Sequence, residues 1–461
     1  MSVGAGPHTR LPNVVEVAAV VSGSLCVAFV AVVAPLMVVP TIALIVVGVL
    51  AVRDAFVSLL LFILILLTRP ADFIPELARF TPAKVAAFGA LSVFLASRLL
   101  EGRLSWASVP QNRHILLLAA AAFVSGQLSG DPIGSRIFYL DTFAKILILY
   151  FLILNLVDSW RRAILLEYAL QIGAVFLSLY ALHQRFTGTD LIEGTRAAAI
   201  GLLGDPNDLA FMLMMAVPFA LLAVRETRGF ARWLQAASLL ILLAGVAVTQ
   251  SRGGLLALGA ALWFIFRHRV KSRLALVAIM GVGVIGLAIA AGVGSRESYD
   301  LSGGDASAVG RLDAWNAGLR MFLAHPVLGV GFDQFVANYF TYVQNPIEWT
   351  ARTAHNTFVL AIAETGLAGF IPFMLLVWTS VRDAVRLELQ PGEAGLGRAL
   401  RQSQLARLAA ILVAAFFLSQ TWNWFLYIVL ALTAATARIG RIEASRRVAS
   451  APATAPSGAR R

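Results

Sequence analysis

The sequence predicts an all-α polytopic membrane protein of about 12–14 transmembrane helices with one long extracytoplasmic loop, and three observations carry that prediction. Of the 461 residues, 59% are hydrophobic and only 13% charged, with a mean hydropathy of +0.80, far from the balance of a soluble globular domain. Apolar runs long enough to cross roughly 30 Å of hydrocarbon recur along the whole chain. Most of the basic residues fall in short loops on one side of those runs. The net charge of +12 and isoelectric point near 10.6 would point to nucleic acid in a soluble chain. Here the charge flanks apolar runs and sets orientation, so no nucleic-acid partner is expected. Cys26 is the single cysteine, which excludes an intramolecular disulfide framework and a cysteine metal cluster.

Taken in order, the runs predict spans at 14–33, 35–52, 55–68, 84–100, 114–129, 142–158 and 162–182, then at 207–224, 233–250, 253–267, 273–293, 356–381, 405–420 and 422–438. Arg10 precedes the first run and no small-residue cleavage site follows it, which predicts an uncleaved first span. Residues 69–83 carry Pro70, Pro75 and Pro82 and read as a short interfacial piece. The Ala, Pro, Ser and Arg-rich C-terminal tail, 441–461, reads as disordered.

Loop charge then gives the orientation. Arg53, 98–113, Arg161 with Arg162, 225–232, 267–273, 382–407 and the tail from Arg438 all fall on one side, which the positive-inside bias makes cytoplasmic. Both termini are expected there. The opposite face holds 69–83, 130–141, 183–206, 251–252 and the long loop 294–355, which carries four Arg against six Asp and Glu. Four arginines on this face, Arg196, Arg252, Arg311 and Arg352, run against the general bias. An anionic substrate is the simplest reason for them.

Four features of the outer face carry candidate chemistry. Arg196 precedes Gly201-Leu-Leu-Gly-Asp-Pro-Asn-Asp208, in which Asp205 and Pro206 form a good helix start. Its free amides attract anions, with Asn207 beside them and a guanidinium suited to phosphate just upstream. An ordinary capped helix beside a headgroup-level arginine fits the same residues. Thr249-Gln-Ser-Arg-Gly-Gly254 is a polar knot between two spans with almost no loop. Arg252 therefore lies near membrane depth, where it must snorkel, pair or meet a ligand. In the long loop, Arg311, Trp315 and Phe322 share one helical face, and His325-Pro-Val-Leu-Gly-Val-Gly-Phe332 makes a turn there, not a dinucleotide site. Trp315, Tyr339, Tyr342 and Trp349 could stack on sugars or anchor at the interface. Finally, His355-Asn356 opens a span that bears Glu364, Thr365 and Gly366 about two turns deeper. A helix start should keep the His355 imidazole neutral and fit to accept a proton. No pair of the remaining histidines shows metal-ligand spacing.

Over 196–370 the chain resembles the O-antigen ligase and O-antigen polymerase superfamily of bacterial membrane glycosyltransferases. Arg196 with Gly-Asp-Pro-Asn-Asp, Ser251-Arg252-Gly253, Arg311 to Trp315, His325-Pro326 to Gly331, and His355-Asn356 followed by Glu364, Gly366 and Gly369 match that family's motifs in order and on a common face. The resemblance implies a GT-C-like helical fold, with N-terminal helices over 1–182, a ligase/polymerase-like core over 183–381 and C-terminal helices over 382–440. It implies glycan transfer from undecaprenyl diphosphate at the periplasmic face of the inner membrane. The acceptor would be lipid A core or a second lipid-linked glycan, and neither metal nor other cofactor would take part. By position, Arg196 and Arg252 would bind the donor diphosphate with Arg311 as a third candidate, while His355 would orient or deprotonate the acceptor hydroxyl. Asn207, Asn356 and Trp315 complete the substrate-binding set expected on that basis. A transporter or flippase of an anionic solute is the alternative, although the polar weight lies on one face and no internal repeat is visible.

Overall fold

The computed structural model describes residues 48, 49, 51, 53–102, 106–199, 203–290, 306–344, 351–389 and 395–450. The expected first span, 14–33, and nearly all of the second, 35–52, lie outside these residues, as do Trp349 and 451–461. Among the described residues the fold is all α, with a single isolated bridge between Ile192 and Arg196. Each of the twelve spans expected beyond residue 54 coincides with a helix. They are α1 (Ala55–Thr68), α2 (Pro82–Leu100), α3 (Pro110–Gln127), α4 (Pro132–Leu156), α5 (Trp160–Thr187), α6 (Pro206–Glu226), α7 (Gly229–Val248), α8 (Arg252–Phe266) and α9 (Arg273–Ala290). Two helices of the long loop follow, α10 (Ala306–Ala324) and α11 (Phe335–Tyr342), and then α12 (Thr357–Leu389), α13 (Leu396–Ala415) and α14 (Trp424–Ser450). Eight helices among the described residues are long and apolar enough to cross a membrane, so the protein is a polytopic membrane protein. The other expected spans are shorter or carry polar first turns, such as Gln111, Asn112 and Arg113 in α3.

Proline and short polar caps set the helix starts. Asp54, Asp131, Ser159, Asp205 and Ser251 each accept a first-turn amide with the side chain, satisfying donors that a helix start otherwise leaves open. The expected interfacial piece at 69–83 contains two single-turn helices, Pro70–Phe73 and Pro75–Ala78. α14 corrects one expectation, because it stays helical through Ser450 and the tail does not turn irregular at 441. The reason is local: Ala and Arg dominate this stretch, and both are strong helix formers.

α6 and α14 are the most deeply buried of the spanning helices, whereas α2 and α7 present most of their surface outward. α13 packs along α6 and α8, α3 packs along α12, and α4 packs on α14. This arrangement brings the starts of α6, α8 and α12 to one end of the bundle.

α12 is broken at Gly366, whose backbone (φ 56°, ψ −158°) is non-helical. In hydrocarbon an interrupted helix must find other partners for its peptide groups, and the segment 325–331 supplies them. Leu367 and Ala368 amides donate to the Pro326 and Val327 carbonyls at 2.9 and 3.0 Å, while the Val330 and Gly331 amides donate to Ala363 and Glu364 carbonyls at 2.9 and 3.2 Å. Ser125 Oγ on α3 reaches both the Leu328 and Glu364 carbonyls, at 2.7 and 2.6 Å. A Cβ on Gly366 would lie 2.4 Å from the Val327 carbonyl carbon. Gly366→Ala is therefore expected to cost on the order of 1–3 kcal/mol for the backbone conformation alone, with a backbone clash added. The expected result is a lower apparent Tm in detergent and easier proteolysis of the long loop. An unchanged Tm would mean that the loop does not lock into the break.

Candidate functional site at one end of the bundle

Arg196, far from extending into the headgroup region, is buried at 5% exposure. Its Nε donates to the Thr249 carbonyl at 3.1 Å and its Nη2 to Asn207 Oδ1 at 2.9 Å, with Nη1 3.5 Å from Glu193. Burial holds this guanidinium below its ordinary range, while Glu193 and Asp205 pull it back and Arg252 pushes further down. The same Asn207 oxygen accepts Ser251 Oγ at 2.8 Å, and Asn207 Nδ2 donates to Asp205 Oδ1 at 2.9 Å. Thus the two motifs around Arg196 and Arg252 are stitched together through one amide side chain.

Ser251 caps α8 by accepting the Gly254 amide at 3.1 Å, which places Arg252 on the first turn at the positive end of that helix. Arg252 is half-buried. The adjacent glycines earn their place differently: a Cβ on Gly254 would sit 2.6 Å from the Ala210 Cβ of α6, whereas Gly253 has ordinary clearance from Phe417. Gly254 is thus the one that lets α8 press against α6. Gln250, immediately before this cap, is held at φ 51°, a left-handed conformation that non-glycine residues rarely adopt.

His355 is likewise held in the left-handed region, at φ 45°, and it precedes the Asn356 cap of α12. Asn356 is buried and its Oδ1 accepts the Phe358 and Val359 amides at 2.9 and 3.1 Å. Burial first, and then the positive charges of Arg311 and Arg352, hold the His355 imidazole below its ordinary value, with Asp205 opposing them. Arg352 lies against Gly310, where a Cβ would meet its Nη1 at 2.4 Å. It therefore stands beside the residue preceding Arg311.

The charged members of the sequence-derived set lie within electrostatic reach of one another. Asp205 acts electrostatically on both Arg196 and His355, Arg252 acts on Arg196, and Arg311 and Arg352 act on His355. Trp315 follows Arg311 by about one turn, with its ring against Phe416 at 5.3 Å and its indole N–H buried without a hydrogen-bond partner. The side-chain oxygens of Asn207 and Asn356 each accept two hydrogen bonds from within the protein. Tyr339 is buried, and Tyr342 meets His325 Nε2 at 3.1 Å. Among the described residues no group of three or more His, Cys, Asp or Glu side chains is placed to hold a metal ion.

Sequence reasoning missed the connection 416–423 between α13 and α14, which sits among all of these segments. Its signal was Ser419-Gln420-Thr421, a polar interruption between two apolar runs. Glu364 also has a fuller part than its motif implied. Its carboxylate accepts Trp422 Nε1 at 2.6 Å and the Phe335 amide at 3.0 Å.

Two comparisons with known proteins bear on this arrangement. Residues 237–374 match the O-antigen ligase family model. The chain is also 26% identical over 224 residues to the exopolysaccharide production protein ExoQ of Rhizobium meliloti, an alignment covering 45% of this chain and 51% of that protein. It thus spans about half the length of this curated relative. Both findings bear out the resemblance to the O-antigen ligase and polymerase superfamily. Arg252, Arg311, Trp315, His355 and Asn356 lie inside the matched segment, Arg196 and Asn207 precede it, and 416–423 follow it.

Proposed function

We propose that this protein is a glycosyltransferase of the inner membrane that moves a glycan from undecaprenyl diphosphate to a hydroxyl acceptor at the periplasmic face. The observation that carries the reading is the joining of the Arg196 and Arg252 motifs through the Asn207 side chain, with Asp205 within electrostatic reach of both Arg196 and His355. In this reading Arg252, at the start of α8, meets the donor diphosphate directly. Arg196 adds positive charge from behind and fixes the Thr249 to Ser251 turn. His355 accepts the proton of the acceptor hydroxyl as the new glycosidic bond forms and the carbon-to-diphosphate bond breaks. The diphosphate leaves carrying the negative charge that the guanidinium groups stabilise. Trp315 borders the acceptor side.

The test is to incubate the detergent-purified chain with a polyprenyl diphosphate-linked glycan and follow carrier release and product length. Release with a lengthening ladder would make the protein a polymerase, and single transfer to lipid A core would make it a ligase. No release with either acceptor, from protein shown to be folded, would overturn the transfer reading in favour of anion transport.

A further inference from the structure

The connection 416–423 touches each segment of the site in turn. Phe416 stacks edge-on against Trp315, and Phe417 lies beside Gly253 next to Arg252. The Leu418 carbonyl accepts Thr357 Oγ1 at 2.6 Å, and Thr353 Oγ1 lies 2.8 Å from Ser419 Oγ. Thr421 Oγ1 donates to the Thr357 carbonyl at 2.7 Å. At the middle stands Gln420, whose backbone N–H donates to Thr357 Oγ1 at 3.0 Å and whose side-chain Nε2 donates to Asp208 Oδ1 at 2.5 Å. Thr357 begins α12, two residues after His355. Asp208 lies on the first turn of α6, beside the Asp205 cap and the Asn207 side chain that grips Arg196 and Ser251. Gln420 is therefore the residue that joins the two halves of the site, with its backbone N–H on the imidazole side and its side chain on the arginine side.

Stability does not account for a glutamine at this point. It is 2% exposed, and its Oε1 is buried with no hydrogen-bond partner. A buried amide that leaves its acceptor unmatched costs free energy that an apolar side chain of similar volume would not. What that amide holds is Asp208 Oδ1, on a half-buried side chain of the α6 first turn. The polar choice is explained by what the amide holds.

We propose that Gln420 is a positioning residue for glycan transfer, fixing the Asp208 carboxylate and the His355 end of α12 in one register so that the connection 416–423 assembles the site. The inference rests on the transfer reading above and places a determinant of it outside the segment that matches the ligase family. Gln420→Leu should keep the apparent Tm of the wild-type chain while lowering kcat by about 10- to 100-fold, the scale of a small misplacement of reacting groups. KM for the lipid-linked donor should not change, because Arg196 and Arg252 keep their contacts. If Gln420 acts through Asp208, the double variant Gln420→Leu/Asp208→Asn should be no slower than Asp208→Asn alone. Hydrogen exchange should speed up at amides 205–210 and 355–360 in Gln420→Leu, a readout independent of turnover.

Wild-type kcat in Gln420→Leu would overturn the inference while leaving the transfer reading intact. So would a kcat loss that disappears once activity is scaled to folded protein. A wild-type chain that transfers nothing would overturn the transfer reading itself, and unchanged exchange at both helix starts would then separately overturn the coupling through Gln420.

Discussion

Replacing Arg252 by alanine should lower the rate of carrier release by about 10²- to 10³-fold, the loss that follows removal of one preorganised charged or hydrogen-bonding group from a transition-state site. The expectation comes from where the helix puts this side chain. Ser251 satisfies the Gly254 amide, and Arg252 projects from the first turn of α8, where the helix dipole already favours negative charge. Charge grows on the diphosphate as its bond to the sugar breaks, so an interaction here is stronger in the transition state than in the ground state and acts on kcat. Arg252→Lys should recover part of the rate, since it keeps the charge and loses the planar fork that fits phosphate oxygens. Arg196→Ala is a less clean test. Its Nε and Nη2 hold the Thr249 carbonyl and Asn207, so that variant should lose apparent Tm as well as rate. Single-turnover release from folded Arg252→Ala at the wild-type rate would remove Arg252 from the mechanism.

How much of this could be read from the sequence depends on the range of the interaction concerned. Spans are local, because twenty apolar residues have one stable solution in hydrocarbon, and every expected run beyond residue 54 is a helix. Caps are local too: Asp205 before Pro206 and Ser251 before Arg252 announce helix starts that the structure contains. Motif order placed Arg196, Arg252, Arg311 and His355 on a common face but could not bring them together, since convergence is set by helix packing. Nor could it tell that the Asn207 and Asn356 side-chain oxygens would accept hydrogen bonds from within the protein, as an amide looks the same in sequence whatever it meets. The glycines of 325–331 read as a turn, which they are. Their fit into the break at Gly366 is a tertiary match between segments some forty residues apart, invisible to any local pattern. Gln420 was hidden for the opposite reason, because its apolar flanks made the whole stretch look like membrane.

The second large effect expected is on His355, where rate and pH dependence should change together. His355→Gln should cost about 10²- to 10⁴-fold in kcat, the usual worth of a positioned general base. The acid limb of the wild-type rate should lie below pH 6.5, because burial, Arg311 and Arg352 all hold the imidazole below that ordinary value. The neutral ring is the working form, so the rate is level through neutral pH and falls only as pH drops through the depressed value. Stability follows the same sign. Protonation is harder in the folded chain than in the unfolded one, so this group's contribution is intact above pH 6.5 and is lost progressively as pH falls below it. Removing either of two neighbours should move the limb in opposite directions. Arg311→Met takes away a positive charge and shifts the limb to higher pH, whereas Asp205→Asn takes away the opposing negative charge and shifts it lower. A structural role for the imidazole would move none of these limbs. An acid limb that stays in place in both neighbour variants, or a His355→Gln chain that keeps the wild-type rate, would therefore rule out His355 as the base, and the proton would have to leave the acceptor by another route.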